Sequence, residues 1–99
     1  HRANGALRGT KADIWDGGHR VPLLVRWPGK IKAAEVSDQV VSLVDVMATC
    51  VDAAGATLPA AAAEDSQSLL PLLRGSNQWK RQPGIQHSAN GTFAIRDGS

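Results

Sequence analysis

The sequence predicts an α/β fold, on three observations. A short apolar run, Val21–Trp27, has the length and composition of a strand buried on both faces of a mostly parallel sheet. An amphipathic helix is expected from about Leu43 to Ala54, and a second strand over Thr92–Arg96. Ninety-nine residues fit one small domain or a slice of a larger one.

Taken in order, residues 1–18 read as loop, rich in Gly and Asn and without sustained periodicity. Pro22 is tolerable at the entrance of the strand that follows, and Pro28-Gly29 ends it. Residues 31–38 are connecting loop. In the helix, Ser42 is a good N-cap and Asp45, three residues on, favours the positive end of the helix dipole. Leu43, Val46, Met47, Cys50, Val51 and Ala54 form one apolar stripe, expected to face the core, with Cys50 a buried small hydrophobe. Gly55 supplies the left-handed C-cap.

Residues 58–64 are a Pro- and Ala-containing linker. Ser66–Leu73 is expected to form a short leucine-rich helix, closed by Gly75, in which Pro71 forces a late start or a bend. Ser76–Gly84 is polar and ends in two turn-formers. Asp97-Gly98 reads as a hairpin turn whose second strand is missing, so the chain reads as an excerpt from a longer protein.

Composition agrees with that expectation. Hydrophobic residues make up 42%, but fifteen of them are alanine and only 22 residues are Leu, Ile, Val or Phe. That is close to the range in which chains struggle to offset their ordering entropy. No apolar run approaches the roughly 18 residues that cross a bilayer, so no membrane span is expected. The net charge of +2 is mild and the basic residues are scattered; Lys30/Lys32 and Lys80/Arg81 read as solvated surface rather than a nucleic-acid patch. A single Cys50 permits no internal disulfide.

The most informative stretch is Leu7–Gly29. It sets Lys11 in a glycine-punctuated loop that feeds the apolar run, an arrangement suited to an anionic group because the strand fixes the loop while the ammonium reaches outward. The string carries Arg8-Gly9-x-Lys11, then Asp16-Gly17-Gly18-x-Arg20-x-Pro22, then Trp27-Pro28-Gly29. It resembles the sulfatase family of the alkaline-phosphatase-like superfamily, and the resemblance continues through residues 37–55, 65–75 and 87–98. It implies an excerpt of an alkaline-phosphatase-like α/β sandwich. Residues 1–75 would be the end of the large mixed-sheet domain, and 76–99 a linker and the start of a small antiparallel subdomain.

The resemblance also implies chemistry. In that family a formylglycine hydrate attacks the sulfur of a sulfate ester, assisted by a divalent cation, usually Ca2+. The aldehyde is made from Cys or Ser in a Cys/Ser-x-Pro-x-Arg context, and neither Cys50 nor any serine here has it. Nucleophile and metal ligands are therefore expected outside this chain. Asn4-Gly5 has a superficial likeness to an Asp-Asn-Gly metal motif, but Ala3 replaces the Asp and a loop asparagine beside a turn glycine is the sounder account. Lys11 matches the family's sulfate-contacting lysine, and a compact cation there can stabilise charge growing on the sulfuryl group. His87 sits in a segment that in relatives approaches the substrate side of the cleft, which makes it a candidate substrate contact beside the plainer role of a loop histidine hydrogen-bonded to backbone. Arg20 is expected to pair with a carboxylate such as Asp16. Trp15 and Trp27 are expected to anchor loops, and Gly17 and Gly18 to let the backbone turn behind Lys11.

The resulting expectation is a piece of a sulfatase acting on sulfate esters, sulfated carbohydrates among the candidates, with the particular ester and the localisation left open by these residues; the family it resembles is commonly exported or lysosomal. Two alternatives stand beside it: a phosphoester or phosphonate hydrolase of the same superfamily, and a non-catalytic binding module.

Overall fold

The computed structural model describes residues 3–98, which fold into two compact units. One is built from the residues up to Val25 together with Ile85–Arg96; the other from Arg26–Gly84 with the residues after Arg96.

The first unit holds a single helical turn, α1 (Asp16–His19), and a two-stranded antiparallel sheet, β1 (Gly84–His87) and β2 (Phe93–Arg96). The strand expected over Thr92–Arg96 is therefore present as Phe93–Arg96, and it pairs with Gly84–His87. Gly84–His87 has only four residues and no hydrophobic alternation, so nothing in its composition announced a strand. Ser88 closes the hairpin: its N–H donates to the Thr92 carbonyl at 2.9 Å and its hydroxyl accepts from the Thr92 N–H at 3.0 Å. The run Val21–Trp27 joins no ladder among the described residues, and most of it is exposed. Its composition fits a sheet interior, yet no other stretch here supplies the neighbouring strands.

The second unit is organised by α2 (Asp45–Ala53) and the short α3 (Leu70–Leu73). Pro71 stands at the start of α3, where its missing N–H costs nothing, so this helix begins late as the proline requires. In α2 the expected Ser42 cap is replaced by a turn at residues 43–44. Val44 is the N-cap and makes no side-chain cap bond. The Ala48 N–H, one turn into the helix, also donates to the Ser66 hydroxyl at 3.0 Å, which ties the segment before α3 to the start of α2.

The orientation of α2 differs from expectation. Leu43, Val46, Met47 and Cys50 are exposed, whereas Asp45 and Ala48 are buried. The face that turns inward is 45/48/49, with Asp52 exposed at its edge, and it is largely polar because the segment packed on it, residues 65–69, is irregular backbone that needs partners. Thr49 Oγ accepts from the Leu69 N–H at 2.9 Å, and Asp52 accepts from the Ser68 hydroxyl at 2.6 Å. The small core between them is Ala48, Leu69, Leu70 and Trp79, with the Trp79 indole N–H donating to the Ser68 carbonyl at 2.9 Å. The apolar stripe has no partner among the described residues. Hydrophobic periodicity identifies a face that favours burial, but not which segment covers it.

At the head of α2 lies a closed charge. Asp45 is fully buried; its Oδ2 accepts from the Ser42 N–H and from Arg81 Nε, both at 2.8 Å, and its Oδ1 from the Gln67 N–H at 3.1 Å. Arg81 continues to the Gln82 carbonyl at 2.8 Å and the Asp65 carbonyl at 3.2 Å. Three stretches far apart in sequence are joined at one carboxylate.

Candidate functional site

Lys11 occupies a tight turn, Thr10–Asp13, closed by the Asp13 N–H donating to the Thr10 carbonyl at 3.0 Å. Ala12 has φ 81° while Lys11 does not share the positive-φ region, which makes this a type II turn with Lys11 at its second position. That geometry favours glycine at the third position, so Ala12 is held in a conformation that alanine rarely adopts. The bracing is correspondingly dense. Asp13 Oδ2 accepts from the Thr10 N–H at 2.8 Å, and the Ala12 carbonyl accepts from the Ala89 N–H at 2.9 Å. The Lys11 side chain itself is exposed and has no ion-pair partner among the described residues.

Behind the turn, α1 approaches so closely that side chains are excluded. A Cβ on Gly18 would meet the Thr10 carbonyl oxygen at 2.6 Å, and one on Gly17 the Arg8 carbonyl oxygen at 2.7 Å. The Gly17 N–H donates to that same Arg8 oxygen at 2.8 Å. The two glycines thus serve close approach; neither has positive φ. Asn4 braces the same region, its amide N–H groups donating to the Gly9 carbonyl at 2.7 Å and the Gly17 carbonyl at 2.9 Å. These bonds use only the Asn4 amide N–H groups and fit the expected loop-bracing role.

Trp15 is stacked under the Arg8 guanidinium, 3.9 Å from ring centroid to carbon, so its loop-anchoring role is a cation–π contact. Asp16 pairs with Arg96 at 3.5 Å, not with the expected Arg20. Arg20 follows α1 with its backbone N–H on the Asp16 carbonyl, and its side chain is exposed. The strand β2, which closes on this region only in three dimensions, brings the competing arginine. His19 buries its Nε2 without a hydrogen-bond partner among the described residues.

His87 ends β1 as an exposed side chain, its ring 4.7 Å from that of Phe93 and tilted by 43°. It is a strand residue in contact with an aromatic ring, not a loop histidine tied to backbone. The turn that follows it, Ser88–Gly91, carries the Ala89 N–H that reaches Ala12, so the Lys11 turn is joined at the main chain to the turn next to His87. Among the described residues no three of His, Cys, Asp and Glu come together as a group able to hold a metal ion. Among the described residues no helix is long and apolar enough to cross a membrane.

These features coincide with a family pattern. Residues 10–87 match the family model described as N-sulphoglucosamine sulphohydrolase, C-terminal. The chain belongs to the sulfatase family. It is 42% identical to mouse steryl-sulfatase over 88 residues, covering 89% of this chain and 14% of that protein. It is 33% identical to the arylsulfatase of Hemicentrotus pulcherrimus over 93% of this chain and 16% of that protein. With the N-acetylgalactosamine-6-O-sulfatase of Bacteroides thetaiotaomicron it shares 35% identity over 99% of this chain and 19% of that protein. No solved structure matches. The chain thus spans less than a fifth of the length of these relatives.

Proposed function

We propose that this chain is a C-terminal portion of a sulfatase that hydrolyses sulfate esters, and that Lys11 is its contribution to the catalytic centre. Residues 1–75 would complete the α/β domain, and residues 76–99 would lead into the antiparallel subdomain. The formylglycine nucleophile and the divalent cation, calcium by family habit, would be held by other parts of the protein. The uncovered stripe of α2 and the unpaired run Val21–Trp27 would pack against that remainder.

The observation that carries the reading is the contrast within the Thr10–Asp13 turn. Its backbone is braced in a strained conformation while its one cation is left exposed, with no ion-pair partner among the described residues. Such strain is held here by the surrounding hydrogen bonds; Ala34 and Ala63 also have positive φ, so it is the exposed cation on a turn braced from a distant stretch, not the φ alone, that supports the reading. An ammonium carried on a fixed backbone can donate to a sulfate oxygen and stabilise the charge that grows there as the ester bond breaks. His87, one strand end away from the adjoining turn, would contact the substrate beyond the sulfate.

The test is kinetic, in the full-length protein. Lys11→Ala should lower kcat on sulfate esters by about 10²-fold, the scale of losing one preorganised donor to a developing oxyanion. The melting temperature should stay unchanged, because an exposed cation on a polar loop contributes little to the core. Lys11→Arg should restore only part of the rate, since a wide guanidinium fork does not fill a site shaped for a compact ammonium. Wild-type turnover by Lys11→Ala would defeat the assignment.

A further inference from the structure

We infer that the Ser88–Gly91 turn is a positioning element for Lys11, acting through the hydrogen bond from the Ala89 N–H to the Ala12 carbonyl. The inference rests on the role proposed for Lys11 and adds a distant part of the chain to it. The other braces of residues 10–13 are local, being the Asp13 N–H on the Thr10 carbonyl and the Asp13 carboxylate on the Thr10 N–H. Among the described hydrogen bonds, the one from Ala89 alone ties this turn to a remote stretch, 77 positions along the chain. It falls on the carbonyl of the residue whose φ is strained. Alanine at the third position of a turn favours negative φ, the type I arrangement, and the two forms interconvert by a flip of the peptide between Lys11 and Ala12. The Ala12 carbonyl lies outside the peptide that flips, so a donor fixed on it ties the turn as a whole to the hairpin and limits the spread of the ammonium.

The donor is itself well placed. Ser88 is 3% exposed, and its N–H and hydroxyl both engage Thr92 while its carbonyl accepts from the Gly91 N–H at 3.1 Å. The turn that presents Ala89 is therefore anchored in the β1–β2 hairpin. Ala89 and Ser88 are positioning residues here: neither is placed on the substrate, and each would act through Lys11.

A double-mutant cycle in the full-length enzyme distinguishes positioning from general support. Ala89→Pro removes the N–H. It should lower kcat by about tenfold, within the range that small misplacements of a reacting group produce, with KM nearly unchanged. In a Lys11→Ala background the same substitution should change kcat less than about twofold, because the group it positions is gone. Ser88→Ala adds no bulk and loosens the same turn by freeing the Thr92 N–H, so it decides the matter if Ala89→Pro does not fold. Its smaller loss should likewise vanish without Lys11. Equal losses with and without Lys11, or no loss in either folded variant, would overturn the inference while leaving the Lys11 assignment intact. A silent Lys11→Ala beside impaired hairpin variants would overturn both.

Discussion

Around Asp45 the chain encloses a charge and saturates it, whereas around Lys11 it fixes the backbone and leaves the charge in solvent. The Asp45 carboxylate accepts from two backbone N–H groups and from Arg81 Nε, with no exposed surface remaining. Nothing is left over for a ligand to use. At the Thr10–Asp13 turn every brace lands on main chain or on Asp13, and the lysine takes no part. Both sites join distant stretches through hydrogen bonds to one short segment. Where the bonds end, on the charge itself or on the backbone beneath it, separates a structural ion from a chemical one.

The largest effect should come from breaking the enclosed charge. Asp45→Ala leaves the Arg81 guanidinium, also nearly buried, without its counterion, and strips acceptors from the Ser42 and Gln67 N–H groups. Removing one partner of a buried pair costs about 3–5 kcal/mol, a large part of the margin of a typical domain. Thermal melts of the full-length protein should show a marked fall in midpoint, and soluble yield should drop with it. Whatever protein folds should keep its turnover per active molecule. A variant of normal stability but impaired catalysis would reverse the contrast between the two sites.

Gly17→Ala should sharpen it, with a smaller and mixed effect. The new methyl would press on the Arg8 carbonyl oxygen at 2.7 Å and more closely on that of Gly9, both rigid backbone. Overpacking of this sort costs about 1–3 kcal/mol, and the segment that must yield carries Lys11. Stability and kcat should therefore fall together, unlike Lys11→Ala, which lowers kcat alone. A fall in stability with unchanged kcat would mean that the frame behind the turn does not position the lysine.

These two cases also mark how much the sequence discloses. Lys11 and its glycines stand in one continuous stretch, so the motif, the loop and the cation are all legible before any fold is known. Asp45 is legible only as a helix-dipole partner, because Arg81 and Gln67 reach it from 36 and 22 positions away. The same limit accounts for the inverted face of α2. A stripe of Leu43, Val46, Met47 and Cys50 signals burial, yet it cannot tell that residues 65–69 will take the opposite, polar face. Asp16 pairs with Arg96 instead of nearby Arg20 for that reason too. Local turn chemistry was readable at Pro71, where α3 starts late, and unreadable at Gly84–His87, whose strand exists because β2 is there to pair with it.

The smallest effect is expected at Lys30, and it is the control that gives Lys11 its meaning. Both lysines are exposed and both belong to turns with a positive φ at the third position, Ala12 at 81° and Gly29 at 77°. In the second turn Pro28 and Gly29 are the residues a type II turn prefers, so its geometry carries no strain. Its closing bond is local, the Lys30 N–H on the Trp27 carbonyl at 3.1 Å. A brace from a distant stretch is unnecessary where the turn already favours its own shape, and the described hydrogen bonds show none at Gly29. Lys30→Ala should accordingly change stability by no more than about 0.5 kcal/mol, as surface substitutions do, and leave kcat and KM at wild-type values. Should Lys30→Ala and Lys11→Ala match in kinetics with both proteins folded, the strain and bracing at Ala12 would have no catalytic meaning, and Lys11 would be one more solvated lysine on a turn.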